Sequence, residues 1–212
     1  MNGLIRAIPT YYEGTQFRSR LEARWAAFFD LAGWPWEYEP VDLNGWIPDF
    51  RLRGKTPALC EIKPIDIASI LDPVGGIYQV RIGTILKSIV PNVLNVREQF
   101  GRQSSVVNGP MPFPLDHEII VLGLCPWVDS VCGGSCLGVM LRECSDWCQG
   151  EGEDIAELFG GTKTALDYAA VLGSYEYRIG GEHDGDHHLI DIDGDFTNKL
   201  WRAAGNIVQW NR

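Results

Sequence analysis

The spacing of apolar residues predicts a helix over residues 17–32. Its apolar positions recur every three or four residues and are Leu21, Trp25, Phe28, Phe29 and Ala32. This is the spacing of one helix face that packs against a core. Thr15 or Ser19 supplies a cap for the start of the helix, and Gly33, followed closely by Pro35, ends it.

Three strand-like runs follow this helix, at residues 36–43, 46–52 and 58–64. Asn44-Gly45, between the first two runs, is a hairpin signal because both residues tolerate positive φ. Residues 53–57 have the composition of a turn. The sequence therefore predicts one helix followed by an antiparallel meander.

The rest of the chain contains further predicted elements, of which the run at residues 117–124 is the clearest buried strand in the sequence. The further predicted elements are a helix over 77–100, a buried strand over 117–124, a strand over 137–142 and an amphipathic helix over 198–210. Residues 1–15 are predicted to be irregular, and residues 65–76 to be a loop or short helical turn. Residues 145–195 give no assignable pattern.

Acidic residues and one lysine occupy selected positions of the predicted helix and meander. Glu61 and Lys63 project to the same face because side chains at i and i+2 of a strand do so. Asp49 can approach Glu61 if the second and third strands pair. Glu22 is an acid beside the apolar positions of the helix and can reach over the sheet. Each of these side chains alone would also fit a solvated surface. The prediction therefore depends on their order and spacing along the chain.

Hydrolysis of a phosphodiester needs such a set. A divalent cation lowers the pKa of a bound water and neutralises charge on the phosphate. Mg²⁺ prefers oxygen ligands, usually one or two carboxylates with waters and substrate phosphate. A lysine beside it orients the water or stabilises developing negative charge.

Four segments of the chain resemble the nuclease core of small phage and actinobacterial proteins in the PD-(D/E)XK superfamily. They are residues 17–26 (FRSRLEARWA), 36–40 (WEYEP), 47–50 (IPDF) and 61–63 (EIK). The layout is also similar to that of transposon-end-cleaving and phage junction-resolving endonucleases. The resemblance covers roughly residues 11–105 and, loosely, the strand at 117–124.

The resemblance implies roles for individual residues. Asp49 and Glu61 would bind Mg²⁺ or Mn²⁺, Glu22 would be an additional metal or water ligand, and Lys63 would position the attacking water. Gln79 is the nearest match to a further polar residue that family members carry on the next helix.

The resemblance also implies a fold. The expected class is α/β, with a restriction-endonuclease-like core in which a mixed four-stranded sheet is flanked by helices. Residues 1–125 are predicted to form this core. Residues 126–212 are predicted to form an acidic, cysteine-containing extension that packs on the core with a C-terminal helix.

Four cysteines of the extension have a spacing compact enough to hold zinc. They are Cys132, Cys136, Cys144 and Cys148, in the pattern C-x3-C-x7-C-x3-C. Structural zinc ribbons usually have two-residue gaps, so a degenerate ribbon and free thiols both remain open. A zinc-containing interaction domain with the first half as scaffold is a third, weaker reading of the chain.

Charge is divided unevenly along the chain, which has a formal net charge of -10. Residues 1–105 contain 12 Lys/Arg and 11 Asp/Glu, so the acidity lies in the second half. The arginines proposed to contact nucleic acid are Arg18, Arg20, Arg24 and Arg51. Solvated surface charge is the alternative for each of them.

The sequence thus predicts a metal-dependent nuclease of phage or mobile-element origin, acting on DNA as an endonuclease. The alternative is a catalytically silent nuclease-fold module whose acidic half engages a protein partner. Enzymes of this fold often act as dimers, so the resemblance also admits a homodimer. No apolar run of membrane-spanning length and no signal-peptide pattern occur in the sequence, so we expect a cytoplasmic protein without membrane contact.

Overall fold

The computed structural model describes residues 7–43, 45–53, 57–70, 80–81, 117–128, 135–142, 155–159 and 194–209. Over these residues the chain is a mixed α/β fold. Its elements are β1 (Thr10–Tyr12), β2 (Thr15–Phe17), α1 (Arg20–Ala32), β3 (Trp36–Tyr38), β4 (Phe50–Leu52), β5 (Ala58–Ile62), α2 (Ile67–Ile70), β6 (Val80–Arg81), β7 (Glu118–Val128), β8 (Ser135–Arg142), β9 (Ile155–Phe159) and α3 (Gly194–Gln209). Among the described helices, none is long and apolar enough to cross a membrane.

The main sheet has the strand order β3-β4-β5-β7-β8-β9-β6. Strand β5 pairs with β7 in parallel, and every other neighbouring pair is antiparallel. The expected four-stranded sheet is therefore wrong, because seven strands join it in the described part of the chain. The additional strands come from segments whose pattern was weak or unassigned, including β9.

Helix α1 begins and ends where its sequence signals lie. The Ser19 side chain accepts a hydrogen bond from the Glu22 backbone N–H, which satisfies one of the free donors of the first turn. Gly33 ends the helix in the left-handed conformation, with φ 76°. The helix begins three residues later than predicted, because Phe17 belongs to β2 and Ser19 is the N-cap.

One aromatic core joins α1, α3 and the sheet. Trp25 and Phe28 of α1 pack against Trp201 of α3, with ring centroids 4.7 and 6.1 Å from it. The Trp25 indole N–H donates to the Gly123 carbonyl at 3.0 Å and ties α1 to β7. Phe50 and Leu52 bury their side chains in the same core. The C-terminal helix therefore packs on the first half of the chain.

Residues 10–17 form two strands, whereas the sequence predicted an irregular lead-in over residues 1–15. Strands β1 and β2 form a hairpin closed by Glu13-Gly14, whose φ values are 42° and 80°. A two-residue turn with both φ positive matches the twist of the flanking strands. This signal is present in the sequence but lies in a segment too short to show strand alternation.

The β3–β4 pair is antiparallel as predicted, but its strands are shorter and its connection longer. Residues 39–49 link them, and Leu43 N–H donates to the Trp46 carbonyl at 2.9 Å inside this loop. The hairpin turn predicted at Asn44-Gly45 is therefore wrong, because the described residues on either side, Leu43 and Trp46, lie in a loop and not in strands. Val80–Arg81 form a strand, so the helix predicted over residues 77–100 is wrong at those positions. The boundary predicted after residue 125 falls inside β7.

Candidate active site

Asp49 lies immediately before β4 and beside the end of β5. Phe50 pairs with Cys60, so one further step of this antiparallel ladder places Asp49 opposite Glu61. Asp49 Oδ2 accepts the Ile62 backbone N–H at 2.6 Å, which fixes the carboxyl group across the two strands. Asp49 is only 3% exposed. The sequence-predicted approach of Asp49 to Glu61 is therefore present.

Glu61 and Lys63 project together from the end of β5. Lys63 Nζ donates to Glu61 Oε1 at 2.6 Å, and the indole N–H of Trp46 donates to Glu61 Oε2 at 2.7 Å. The Lys63 backbone N–H donates to the Leu122 carbonyl at 2.9 Å, which anchors this position to β7. Glu61 is buried, whereas the Lys63 side chain is partly exposed. The lysine can therefore reach both the carboxylate and solvent.

Glu22 is held at the start of α1 by three donors. Ser19 Oγ donates to its Oε1 at 2.8 Å, and the Tyr38 hydroxyl donates to its Oε2 at 2.5 Å. The Arg18 backbone N–H also donates to Oε2, at 3.2 Å. Burial, followed by this bond to Glu22, raises the pKa of Tyr38, so its hydroxyl stays protonated as a donor. These donors give Glu22 a well-defined orientation near Asp49.

Arg18 connects the acids across the site. Its Nη2 lies 2.5 Å from Asp49 Oδ1, and its Nε lies 2.9 Å from Glu39 Oε1 and 3.9 Å from Glu22 Oε2. The side chain is 55% exposed. Arg18 was predicted to contact nucleic acid, and in this structure its guanidinium binds carboxylates instead.

Negative charge exceeds positive charge in this group. Four carboxylates (Glu22, Glu39, Asp49 and Glu61) stand against two cations (Arg18 and Lys63). Burial and the charge of Glu61 raise the pKa of Asp49 to about 7, although the Ile62 N–H and Arg18 oppose the shift. Burial also raises the pKa of the adjacent Cys60 thiol, which excludes it as a ready nucleophile.

The donor set fits a small hard cation in part. Within the described residues, no three His, Cys, Asp or Glu side chains are placed to hold a metal ion together. Asp49 and Glu61 form a smaller set of two adjacent, buried oxygen donors, and Mg²⁺ commonly uses one or two carboxylates with waters and substrate phosphate. The excess negative charge favours a divalent cation at this pair. Glu22 as a third ligand stays a prediction.

The other three arginines predicted to contact nucleic acid differ in their surroundings. Arg20 is exposed at the first residue of α1 and has no ion pair with the described residues. Arg24 is half-buried, because its Nη2 donates to the Trp201 carbonyl at 2.8 Å and its guanidinium lies 3.9 Å from the Trp201 ring centroid. Burial lowers the pKa of Arg24. Arg51 pairs with Glu37. Arg20 is thus the most accessible of these three for a phosphate.

Several predicted site residues lie outside the described residues. They are Gln79, Cys132, Cys144 and Cys148. Cys136 lies on β8, where the structure describes only its backbone. Zinc binding by the four cysteines and a role for Gln79 therefore stay predictions.

Sequence reasoning missed the donors that orient the acids. Tyr38 and Trp46 were assigned to strands or core packing, and Glu39 was given no role. The Ser19–Glu22 spacing is the one available signal, since a Ser followed three residues later by Glu is typical of a capped helix start. Tyr38 and Trp46 act through contacts made over 16 and 15 residues, which no local pattern indicates.

Comparison with protein-family models, curated proteins and solved structures gives no match to this chain.

Proposed function

We propose that the protein is a metal-dependent phosphodiesterase that cleaves nucleic acid, with DNA as substrate and endonucleolytic action. The observation that carries this proposal is the placement of Asp49 beside Glu61, with Lys63 Nζ 2.6 Å from Glu61 Oε1. Like-charged groups opposite each other in a sheet destabilise it. Two buried carboxylates in this arrangement suit a site that binds a cation.

Individual residues of the chain would have separate roles in the proposed reaction. Asp49 and Glu61 would hold Mg²⁺ or Mn²⁺, with Glu22 as an additional ligand to metal or water. The cation, when bound, supplies a water of lowered pKa and neutralises charge on the phosphate. Lys63 orients that water and stabilises the negative charge that develops. Trp46 holds the far oxygen of Glu61, so that Glu61 Oε1 stays directed towards Lys63.

Strand connectivity supports a restriction-endonuclease-like core. Strands β3, β4 and β5 form an antiparallel meander after α1, and β7 adds to β5 in parallel. These four neighbouring strands form a mixed subset of the sheet, with α1 packed on one face. Strands β8, β9 and β6 then extend that subset.

The test is a cleavage screen over supercoiled, linear, single-stranded and branched DNA, and RNA, with Mg²⁺ or Mn²⁺. Asp49→Ala and Lys63→Ala should each lower the cleavage rate by roughly a hundredfold or more, as expected when a group that stabilises transition-state charge is lost. Asp66→Ala and Lys199→Ala, at exposed positions whose side chains make no described hydrogen bond or ion pair with Glu22, Asp49 or Glu61, are the matched controls. Cleavage that persists in Asp49→Ala and Lys63→Ala would exclude this centre.

A second function has one observation in its favour. Each of the three buried acids is already bound by protein donors, as in a purely structural polar network. In that case the protein would be a catalytically silent module that engages a protein partner through its acidic half. Absence of cleavage on every substrate, together with a defined complex with a basic protein recovered from cells, would favour it.

A further inference from the structure

Arg18 lies within ion-pair distance of three carboxylates at the proposed site. Its guanidinium lies 2.5 Å from Asp49 and 2.9 Å from Glu39, and its Nε is 3.9 Å from Glu22. Asp49 Oδ1, the oxygen that binds Arg18, is the one not bound to the Ile62 N–H. Arginine and an incoming metal ion would therefore compete for the same atom.

The side chain of Arg18 can leave this position without loss of the local fold. It is 55% exposed, so no core packing holds the guanidinium. The Arg18 backbone is fixed independently, since its N–H donates to the Tyr38 hydroxyl at 3.1 Å and to Glu22 Oε2 at 3.2 Å. Ser19 caps α1 by its own hydrogen bond to the Glu22 N–H. Movement of the side chain alone would leave the helix start intact.

We infer that Arg18 is an internal counter-cation, which stabilises the carboxylate cluster until a divalent cation displaces its guanidinium from Asp49. The released guanidinium then lies at the exposed edge of the site, where a nucleic-acid phosphate binds. A guanidinium suits both partners, because its donor fork matches carboxylate and phosphate oxygens alike. The inference rests on the proposed function and adds an exchange of cations to it.

Metal binding in the absence of nucleic acid tests the exchange directly. Mn²⁺ affinity is measured by calorimetry on the full chain, for the unaltered protein, Arg18→Met, Arg18→Lys and Arg20→Met. Removal of the competing guanidinium in Arg18→Met should tighten Mn²⁺ binding roughly tenfold or more, as expected for loss of one charge in contact with the ligand oxygen. Arg20→Met removes the same charge two residues away and should change the affinity by less than about threefold, because exposed charges are screened.

Arg18→Lys keeps the positive charge, so it separates displacement of the guanidinium from the effect of charge alone. It also retains a cation if Arg18→Met fails to fold. A single ammonium cannot bridge Asp49 and Glu39 as the guanidinium does. The exchange therefore requires tighter Mn²⁺ binding in Arg18→Lys, although the net charge is unchanged. Equal or weaker binding in either folded Arg18 variant would overturn the inference.

The same measurements distinguish failure of the cation exchange from failure of the proposed function. If Asp49→Asn abolishes Mn²⁺ binding and cleavage while the Arg18 variants bind Mn²⁺ like the unaltered protein, only the exchange is wrong. If none of the proteins binds Mn²⁺, the proposed function fails and the exchange fails with it. Cleavage at saturating Mn²⁺ should also fall roughly tenfold or more in Arg18→Met, since a phosphate contact is lost.

Discussion

At Asp49, a buried carboxyl group interacts with two other buried carboxyl groups, Glu61 and Glu22. Its two oxygens are bound by Arg18 and by the Ile62 N–H, yet burial and the neighbouring charge still raise its pKa to about 7. Ionisation of a carboxyl group with a raised pKa lowers the stability of the folded state. Such a cost is typical of functional sites, where charge is held ready for a ligand.

The raised pKa of Asp49 predicts how stability depends on pH in the absence of divalent cations. Between roughly pH 4 and pH 7 the folded protein binds the Asp49 proton and the unfolded chain does not, so the Asp49 contribution to the free energy of unfolding falls as pH rises. Urea unfolding in a chelator over this range checks it.

Asp49→Asn is the control for this pH dependence, because the amide does not titrate. The difference in unfolding free energy between the unaltered protein and Asp49→Asn should change through the window, in the direction that makes the unaltered protein relatively less stable at higher pH. Parallel pH profiles for the two proteins would contradict the assigned cause.

At the scale of elements, α1 serves both the core and the candidate site. Its first turn holds Glu22, and its other positions bury Trp25, Phe28 and Phe29. Arg24, on the same helix, binds the main chain and the ring of Trp201 in α3. The two helices thus share a polar contact as well as an aromatic one, and these contacts fix α1 relative to α3.

The contact of α1 with α3 predicts different effects for two arginines of α1. Arg24→Met should lower the free energy of unfolding by about 1–3 kcal/mol, because charged hydrogen bonds to a carbonyl and a cation–π contact are lost. Arg20→Met should change it by less than about 0.5 kcal/mol, as is usual for exposed positions. Denaturant unfolding measures both.

The same pair of variants bears on nucleic-acid binding. Arg20→Met should weaken DNA binding, whereas Arg24→Met should not weaken it once both proteins are compared at a temperature where they are folded. A larger loss of DNA affinity in Arg24→Met than in Arg20→Met would contradict the assignment of Arg24 to the contact with Trp201.

At the scale of the whole molecule, the two ends of the chain build one core. Trp201, Ala204 and Val208 of α3 are buried against the α1 side of the sheet. Strands β7 and β8 continue the sheet that begins with β3, β4 and β5. Removal of α3 would therefore uncover Trp25 and Phe28, which pack directly on Trp201.

This shared core predicts that a fragment of residues 1–193 loses cooperative folding. Large aromatic contacts each contribute several kcal/mol, so their loss together exceeds the usual net stability of a domain. Near-UV circular dichroism and thermal unfolding measure the effect. Trp201→Ala in the full chain is the control: it should unfold cooperatively at a lower temperature, with a cost of about 3–5 kcal/mol. Native-like unfolding of the fragment would show that α3 is dispensable.

Local patterns predicted the elements around the candidate site well. The apolar spacing of α1, its Ser19 and Gly33 signals and the meander that follows were all readable, because each depends on residues close together in the chain. The Glu61–Lys63 pairing was readable for the same reason, since strand alternation fixes it. Strand β9 and the β1–β2 hairpin were missed, because their segments are too short or too irregular to show a period.

The sequence by itself determined which elements hold Glu22, Glu61 and Lys63, since helical and strand periods and capping are local properties, and it predicted a catalytic role for these side chains. Only the tertiary structure decided that Tyr38 and Trp46 orient the acids, that Arg18 binds Asp49, and that Arg24 binds Trp201 of α3. These pairings depend on strand register and helix packing, which bring together residues distant in the chain. In the part of the chain that the structure describes, seven strands rather than four join the sheet for the same reason, because the pairing of two distant segments cannot be read from either segment alone.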